Sequence, residues 1–198
     1  MEGIVIKVLP YGEADLVITV LAKESGKVTL FARSARKSKR RFANPPDIFD
    51  HGNFQVKQGR GSLLAVDSFQ SLGSFRRLRE KLDKLTAASA LCEAFDLLLP
   101  EQGHDPHTEV FSLLAGALQD LEFSPDCRAA LKICFGSLAS LLRRAGYTDE
   151  LSFQQASALQ LLKIVDRIEH ITERRFQSRS ALEALITELR KESAAEKV

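Results

Sequence analysis

From Gly3 to about Leu72 the apolar positions come in short runs rich in β-branched residues, each closed by turn chemistry, and such runs predict strands. Ile4, Val5, Ile6 and Val8 make the first run. The second passes from Ala14 through Leu16, Val17, Ile18, Thr19, Val20 and Leu21 and stops at Glu24, Ser25 and Gly26, a hairpin turn ahead of a third run with Val28, Leu30 and Phe31. A long excursion carrying Pro45 and Pro46 follows. Phe49, Phe54 and Val56 mark a fourth and least regular strand, and after Gly59, Arg60, Gly61 and Ser62 the β pattern resumes at Leu63, Leu64, Ala65, Val66 and Phe69.

Around Phe75 the period lengthens from about two to about 3.6 residues. Leu78, Leu82, Leu85, Ala88, Leu91, Cys92 and Phe95 then recur at helical spacing. Asp105 before Pro106 reads as an N-cap with proline at the first helical position, and Ser124 before Pro125 repeats the device. Ser152 with Gln155, and Ser180 with Glu183, have the spacing of reciprocal capping pairs. The chain is therefore read as α+β, a strand-rich domain over 1–73 and an all-helical domain over 74–198 with a polar tail from Glu192. Five short strands with a long third connection suit a Greek-key barrel of the OB type, and a five-stranded SH3-like barrel fits almost as well.

Charge changes this picture, because it is unevenly placed. Residues 1–85 hold 16 Lys and Arg against 9 Asp and Glu, whereas residues 86–198 hold 12 against 17, so a near-neutral total hides a basic half and an acidic half. Six of the cations, Arg33, Arg36, Lys37, Lys39, Arg40 and Arg41, fall within nine positions with no acid among them, and Phe42 closes the run. The cluster sits between the third and fourth strands, so it reads as a loop carried by a rigid sheet and suited to a phosphate backbone. A merely solvated loop is the bland alternative. Single-strand binding also needs flat side chains for bases. Phe42 and Tyr11 are the candidates, each balanced against a packing role at the barrel end, and Arg60 between two glycines offers a further exposed cation.

Other chemistry is poorly supported. Cys92, Cys127 and Cys134 are odd in number, form no C-x-x-C pair and lie in apolar helical stretches, which favours burial in a reducing cytoplasm. His104, Asp105 and His107 are near one another, but the helix cap accounts for them without metal. No phosphate loop, nucleophile elbow or cluster of carboxylates stands out, so neither a catalytic constellation nor a cofactor is expected. The start of the chain lacks the basic and apolar regions of a signal peptide, and no run of uncharged apolar residues reaches membrane-spanning length. In the helical half Arg128 and Lys132 lie four apart with Phe135 three further on, a face able to take an acidic, apolar-tipped peptide, although spacing alone favours an ordinary amphipathic helix. Arg167, Arg174, Arg175 and Arg179 alternate with Glu169 and Glu173, as intrahelical ion pairs require.

The opening GIVIKVLPYGEADLVITVLAKESGKVTLFARSARKSKRRF resembles the N-terminal domain of the bacterial recombination mediator family RecO, and QGRGSLLAVDSF is similar to its next hairpin. The resemblance continues more weakly into the helices, notably at SLLRRAGY, residues 140–147. It implies an OB domain joined to a helical domain, binding to single- and double-stranded DNA, strand annealing, and help in loading RecA onto strands covered by single-strand-binding protein. It also implies RecR and the acidic C-terminal tail of single-strand-binding protein as partners, and a bacterial, nucleoid-associated cytoplasmic location. By position, the family's basic loop lands on Arg33, Arg36, Lys37, Lys39 and Arg41, its second turn on Gly59, Arg60 and Gly61, and its site for the acidic tail loosely on Arg128, Lys132 and Phe135. Ser34 stands where the family usually has glycine and Ser38 where proline is common. The four-cysteine zinc motif of many members is missing after SLLRRAGY, so no zinc is expected. Two other readings stay open: an RNA-binding OB module, and an adaptor whose helical domain is the active part.

Overall fold

The computed structural model describes residues 1–59, 64–101, 108–147 and 158–195. They form two compact units: Met1–Phe75 with Leu99–Ala115, and Arg76–Leu98 with Gly116–Val198.

The first unit is a closed five-stranded barrel. Its strands are β1 (Glu2–Tyr11), β2 (Asp15–Ala22), β3 (Gly26–Ala32), β4 (Asp50–Gln58) and β5 (Leu64–Ser74). The order around the barrel is β1-β2-β3-β5-β4, and β4 closes it against the start of β1. Hairpin neighbours run antiparallel, whereas β3 meets β5 in parallel through Leu30 with Leu64 and Phe31 with Ala65. A parallel partner needs a long connection. The excursion after Ala32 and the β4 strand supply it, and this order decides for the OB type over the SH3-like alternative.

Alternation places Val5, Leu16, Ile18, Val20, Val28, Leu30, Phe54 and Val66 inside the barrel, all nearly or fully buried. A bulge between Val5 and Lys7 lets β1 bend, so that its first residues pair with β4 while its whole length pairs with β2. At the closing seam Gly3 faces Gly52. A side chain on Gly3 would strike Val20, and one on Gly52 would strike the Gln70 carbonyl and the Phe69 ring, so the seam is held at glycine width. Beyond the barrel, Glu101 bridges to Lys27 and accepts a hydrogen bond from Thr29 Oγ1 at 2.9 Å, and Phe111 lies 5.8 Å from the His51 ring.

The second unit is helical. After a 3-10 turn at Arg76–Arg79 come α1 (Leu82–Leu98), α2 (Thr108–Glu122), α3 (Cys127–Arg144), α4 (Ala158–Thr172) and α5 (Arg179–Ala195). The first half of α2 belongs to the barrel unit and its second half to this one. Helix α1 is buried on most sides through Ala87, Ala88, Ala90, Leu91, Cys92, Ala94 and Phe95, which marks it as the central helix, with α3, α4 and α5 packed on it. Among the described residues no helix is long and apolar enough to cross a membrane.

Several expectations are corrected here. Helix α3 is capped by Asp126, whose side chain accepts from the Ala129 amide at 2.7 Å, and not by Ser124. Ser124 instead turns its hydroxyl back onto the Leu121 carbonyl and is buried. Ser180 lies inside α5 rather than at its cap. The amides of Gln177 and Ser178 and the Ser178 hydroxyl all donate to Glu93 on α1, while Glu183 pairs with Arg179. Arg179 also bonds Asp166 and Glu169 of α4, so these ion pairs join two helices as well as lying within one. The pairs at Asp105 with Pro106 and Ser152 with Gln155, and His104 and His107, lie outside the described residues. Cys92 and Cys134 are buried as expected, and burial pushes both thiols up, Cys134 to about 12; Cys127 is only partly covered.

Candidate nucleic-acid interface

The basic loop, residues 33–49, is a wound segment and not an extended arm. Amides of Lys37 and Ser38 donate to the Ser34 carbonyl, and amides of Arg41 and Phe42 donate to the Ser38 carbonyl, giving two successive tight turns. The loop is fastened at three places. Ala35 and Phe42 insert into the barrel core, 2% and 1% exposed. The Asp15 carboxylate accepts from the Ser34 amide at 2.7 Å, and the Arg36 amide donates to the Ala14 carbonyl at 3.0 Å, so the loop base is stitched to the turn between β1 and β2. Finally, the Arg41 guanidinium donates to the carbonyls of Arg33, Val66 and Asp67 and stands 5.3 Å over the Phe42 ring.

These fastenings sort the six cations. Arg41 is engaged with its own fold and is a clamp between loop and β5, its guanidinium bonded to carbonyls and not to a carboxylate. Lys37 meets Glu13 at 3.2 Å in a pair with both partners well exposed, an interaction worth little and open to competition. Arg33, Arg36, Lys39 and Arg40 are exposed, and among the described residues none of them meets a carboxylate. Nearby, Lys57 is held by Asp67; hydrogen bonding to that ammonium, with the charge of Arg41 adding to it, keeps the Asp67 carboxyl below the usual carboxylate range. Four free cations thus crowd a fastened loop, where they cost little ordering entropy on meeting a polyanion.

Phe42 is where the sequence reading is corrected. A ring with 1% exposure has no face for a base; it fills the barrel. Tyr11 is the opposite case, 61% exposed at the end of β1 and edge-on to Phe31 at 5.7 Å between centroids. Arg60 lies outside the described residues. In α3, Arg128 and Lys132 are exposed, but Phe135 is 5% exposed and belongs to the helical core, so it offers no apolar contact to a peptide. Among the described residues no group of three or more His, Cys, Asp and Glu side chains is placed to hold a metal ion.

The two halves of the chain match two profiles of one family: residues 1–75 match "Recombination protein O N terminal" and residues 79–162 match "Recombination protein O C terminal". The chain belongs to the RecO family. Proteins named DNA repair protein RecO are similar to it: that of Anaeromyxobacter sp. (strain K) is 38% identical over 133 residues, 67% of this chain and 52% of the relative. That of Symbiobacterium thermophilum is 40% identical over 102 residues, 52% of this chain and 40% of the relative. That of Rubrobacter xylanophilus is 32% identical over 150 residues, covering 76% and 58%. The chain spans about half the length of the curated relatives it matches. One departure from the RecO pattern now has a structural meaning. Ser34 has φ of 53°, the left-handed region where glycine is at ease, and the Asp15 bond to its amide holds it there.

Sequence reasoning missed Asp15, the anchor of the loop, and Phe31 and Leu9, which share the exposed face with Tyr11. Its only signal for Asp15 was an acid at the entry of an apolar run. Leu9 and Phe31 sat in runs so uniformly apolar that inside and outside could not be separated.

Proposed function

We propose that this RecO-family chain is a non-enzymatic DNA-binding mediator of recombinational repair. It grips the sugar-phosphate backbone through Arg33, Arg36, Lys39 and Arg40, with Lys37 released from Glu13 when a phosphate arrives. The observation that carries this reading is the fastened loop with four cations that meet no carboxylate among the described residues. Annealing then needs no active site. Neutralised phosphates repel each other less, and a strand held on the barrel raises the local concentration at which its complement finds it. The names of the relatives support repair, and the finer roles are part of the same proposal: aiding RecA on strands covered by single-strand-binding protein, with RecR and the acidic tail of that binding protein as partners, in the bacterial cytoplasm.

Salt dependence is the direct test. Replacing Arg33, Arg36, Lys39 and Arg40 with Ala should flatten the plot of log affinity against log salt for single-stranded DNA by about 0.7 per lost contact. A slope equal to that of the parent protein would remove the loop from the binding site. Matched DNA and RNA oligonucleotides in competition decide the sugar, since the cations by themselves do not.

A further inference from the structure

Beside the loop, the outer surface of the barrel carries an apolar strip whose location is set by strand register. Leu9 pairs with Val17 and Val17 with Phe31, so these three form one row across β1, β2 and β3. Tyr11 lies two residues beyond Leu9 on the same face, opposite Asp15. Leu9 is 50% exposed and Tyr11 61% exposed. Toward the other end of β3 this face is occupied: Lys27 bridges to Glu101 and Thr29 donates to the Glu101 carboxylate. The row with Phe31 lies beyond that cover. Exposed apolar side chains scattered singly need no explanation, but here they are contiguous and stand at the foot of the basic loop. Asp15, opposite Tyr11, holds the Ser34 amide; Ala14 holds the Arg36 amide; Arg33 follows Phe31 by two residues.

We propose that Tyr11, with Phe31 and Leu9, is a base-stacking platform that makes the barrel favour unpaired over paired strands. The inference rests on the DNA-binding reading above and adds to it the choice of strand. The cations at Arg33 and Arg36 serve a duplex and a single strand alike, because both display phosphates. An aromatic ring on an open sheet surface serves only a base that is out of its stack, and duplex bases keep both faces occupied. The Tyr11 ring meets Phe31 in a T-shaped pair and remains 61% exposed, so most of its surface is open to solvent. Flat rings stack on any base, so the platform gives no sequence preference.

The test compares the full chain with Tyr11→Ala and Tyr11→Phe, measuring affinity for a dT oligonucleotide and for a hairpin duplex across a salt series. Tyr11→Ala should weaken binding to the single strand by about five- to a hundredfold, leave duplex affinity within about twofold, and leave the salt slope unchanged. Tyr11→Phe should keep the affinity of the parent. Because Tyr11 is exposed, the unfolding midpoint of each variant should equal that of the parent, and any loss then belongs to binding. A second readout uses the two tyrosines of the chain. In a Tyr147→Phe background Tyr11 is the sole tyrosine, and its emission should be quenched as dT binds. Equal weakening of single strand and duplex, or no weakening of either, overturns the platform. So does a Tyr11→Ala variant that loses self-association in light scattering while keeping its grip on dT, which would give the strip to a second copy of the chain. If the four-cation variant flattens the salt slope while Tyr11→Ala is silent, the platform fails and the proposed function stands. If the parent binds neither DNA, both fall.

Discussion

Phe42 and Ser34 carry the loop's architecture at single positions, in opposite senses. Phe42 fills the barrel core, so Phe42→Ala should cost about 3–5 kcal/mol of stability through the cavity it leaves, read as a lower urea midpoint. DNA affinity measured well below that midpoint should keep its salt slope, since the ring touches no phosphate. Ser34 is held in left-handed backbone by its bond to Asp15, and Ser34→Gly should relieve strain of about 1 kcal/mol, less what glycine loses in chain entropy. The two effects nearly cancel, so the melting temperature should stay close to that of the parent, and a loss well beyond glycine's entropy cost of about 1 kcal/mol would show that Ser34 is unstrained. The density of cations was legible because like charges without an acid are rare on a short loop. Their fates were not, since Arg41 finds its carbonyls on Arg33, Val66 and Asp67 only once β5 lies beside the loop.

Among the strands, β1 is the element on which the barrel closes, and Glu2 at its start ties both of its seams. Its carboxylate meets Lys23, just after β2, at 3.1 Å, and His51, on β4, at 3.1 Å. Hydrogen bonding to the Lys23 ammonium, then to His51, and the charges of both hold Glu2 below its ordinary value of 4.5 against the opposing effect of burial. A carboxyl lowered in the folded state contributes stability that is present above 4.5 and lost as pH falls through its folded value. Glu2→Gln should therefore melt earlier than the parent at pH about 7, and the gap should close as pH drops into the range where carboxyls protonate. A gap independent of pH would assign the loss to packing at the seam. The strand runs themselves were readable from alternation, and β4, where Asp50, His51, Gly52 and Asn53 precede Phe54, was the least regular in sequence for a physical reason: its early part is a seam held by Gly52 and not a hydrophobic stripe.

For the molecule as a whole, the basic half contains the barrel and its cationic loop, and the acidic half most of the helical unit. The family resemblance puts the acidic tail loosely on α3, where Arg128 and Lys132 are exposed, and we carry that landing place forward as part of the proposal. With Phe135 buried, that landing place is electrostatic. Reversing Arg128 and Lys132 to Glu should weaken an acidic tail peptide of single-strand-binding protein by about tenfold or more, as read by anisotropy, while the salt slope for DNA stays unchanged. Peptide affinity equal to that of the parent would move the site off α3. Phe135 was misplaced from sequence because an aromatic three positions after a lysine is equally suited to the edge of a surface face and to the stripe beneath it. Only the packing of α3 on α1 chooses.

The sequence alone determined where strands give way to helices, that five strands surround one long connection, and that the connection is densely cationic. These are local properties, since side-chain period and turn chemistry act over a few residues. The tertiary structure decided the rest: that β4 closes against β1, that Phe42 turns inward and Arg41 onto nearby carbonyls while Arg33, Arg36, Lys39 and Arg40 meet no carboxylate among the described residues, and that Tyr11 and Phe31 share one outer face. Whether a charge is paired or a ring uncovered depends on which distant segment lies beside it, and alternation along one strand carries no record of that neighbour.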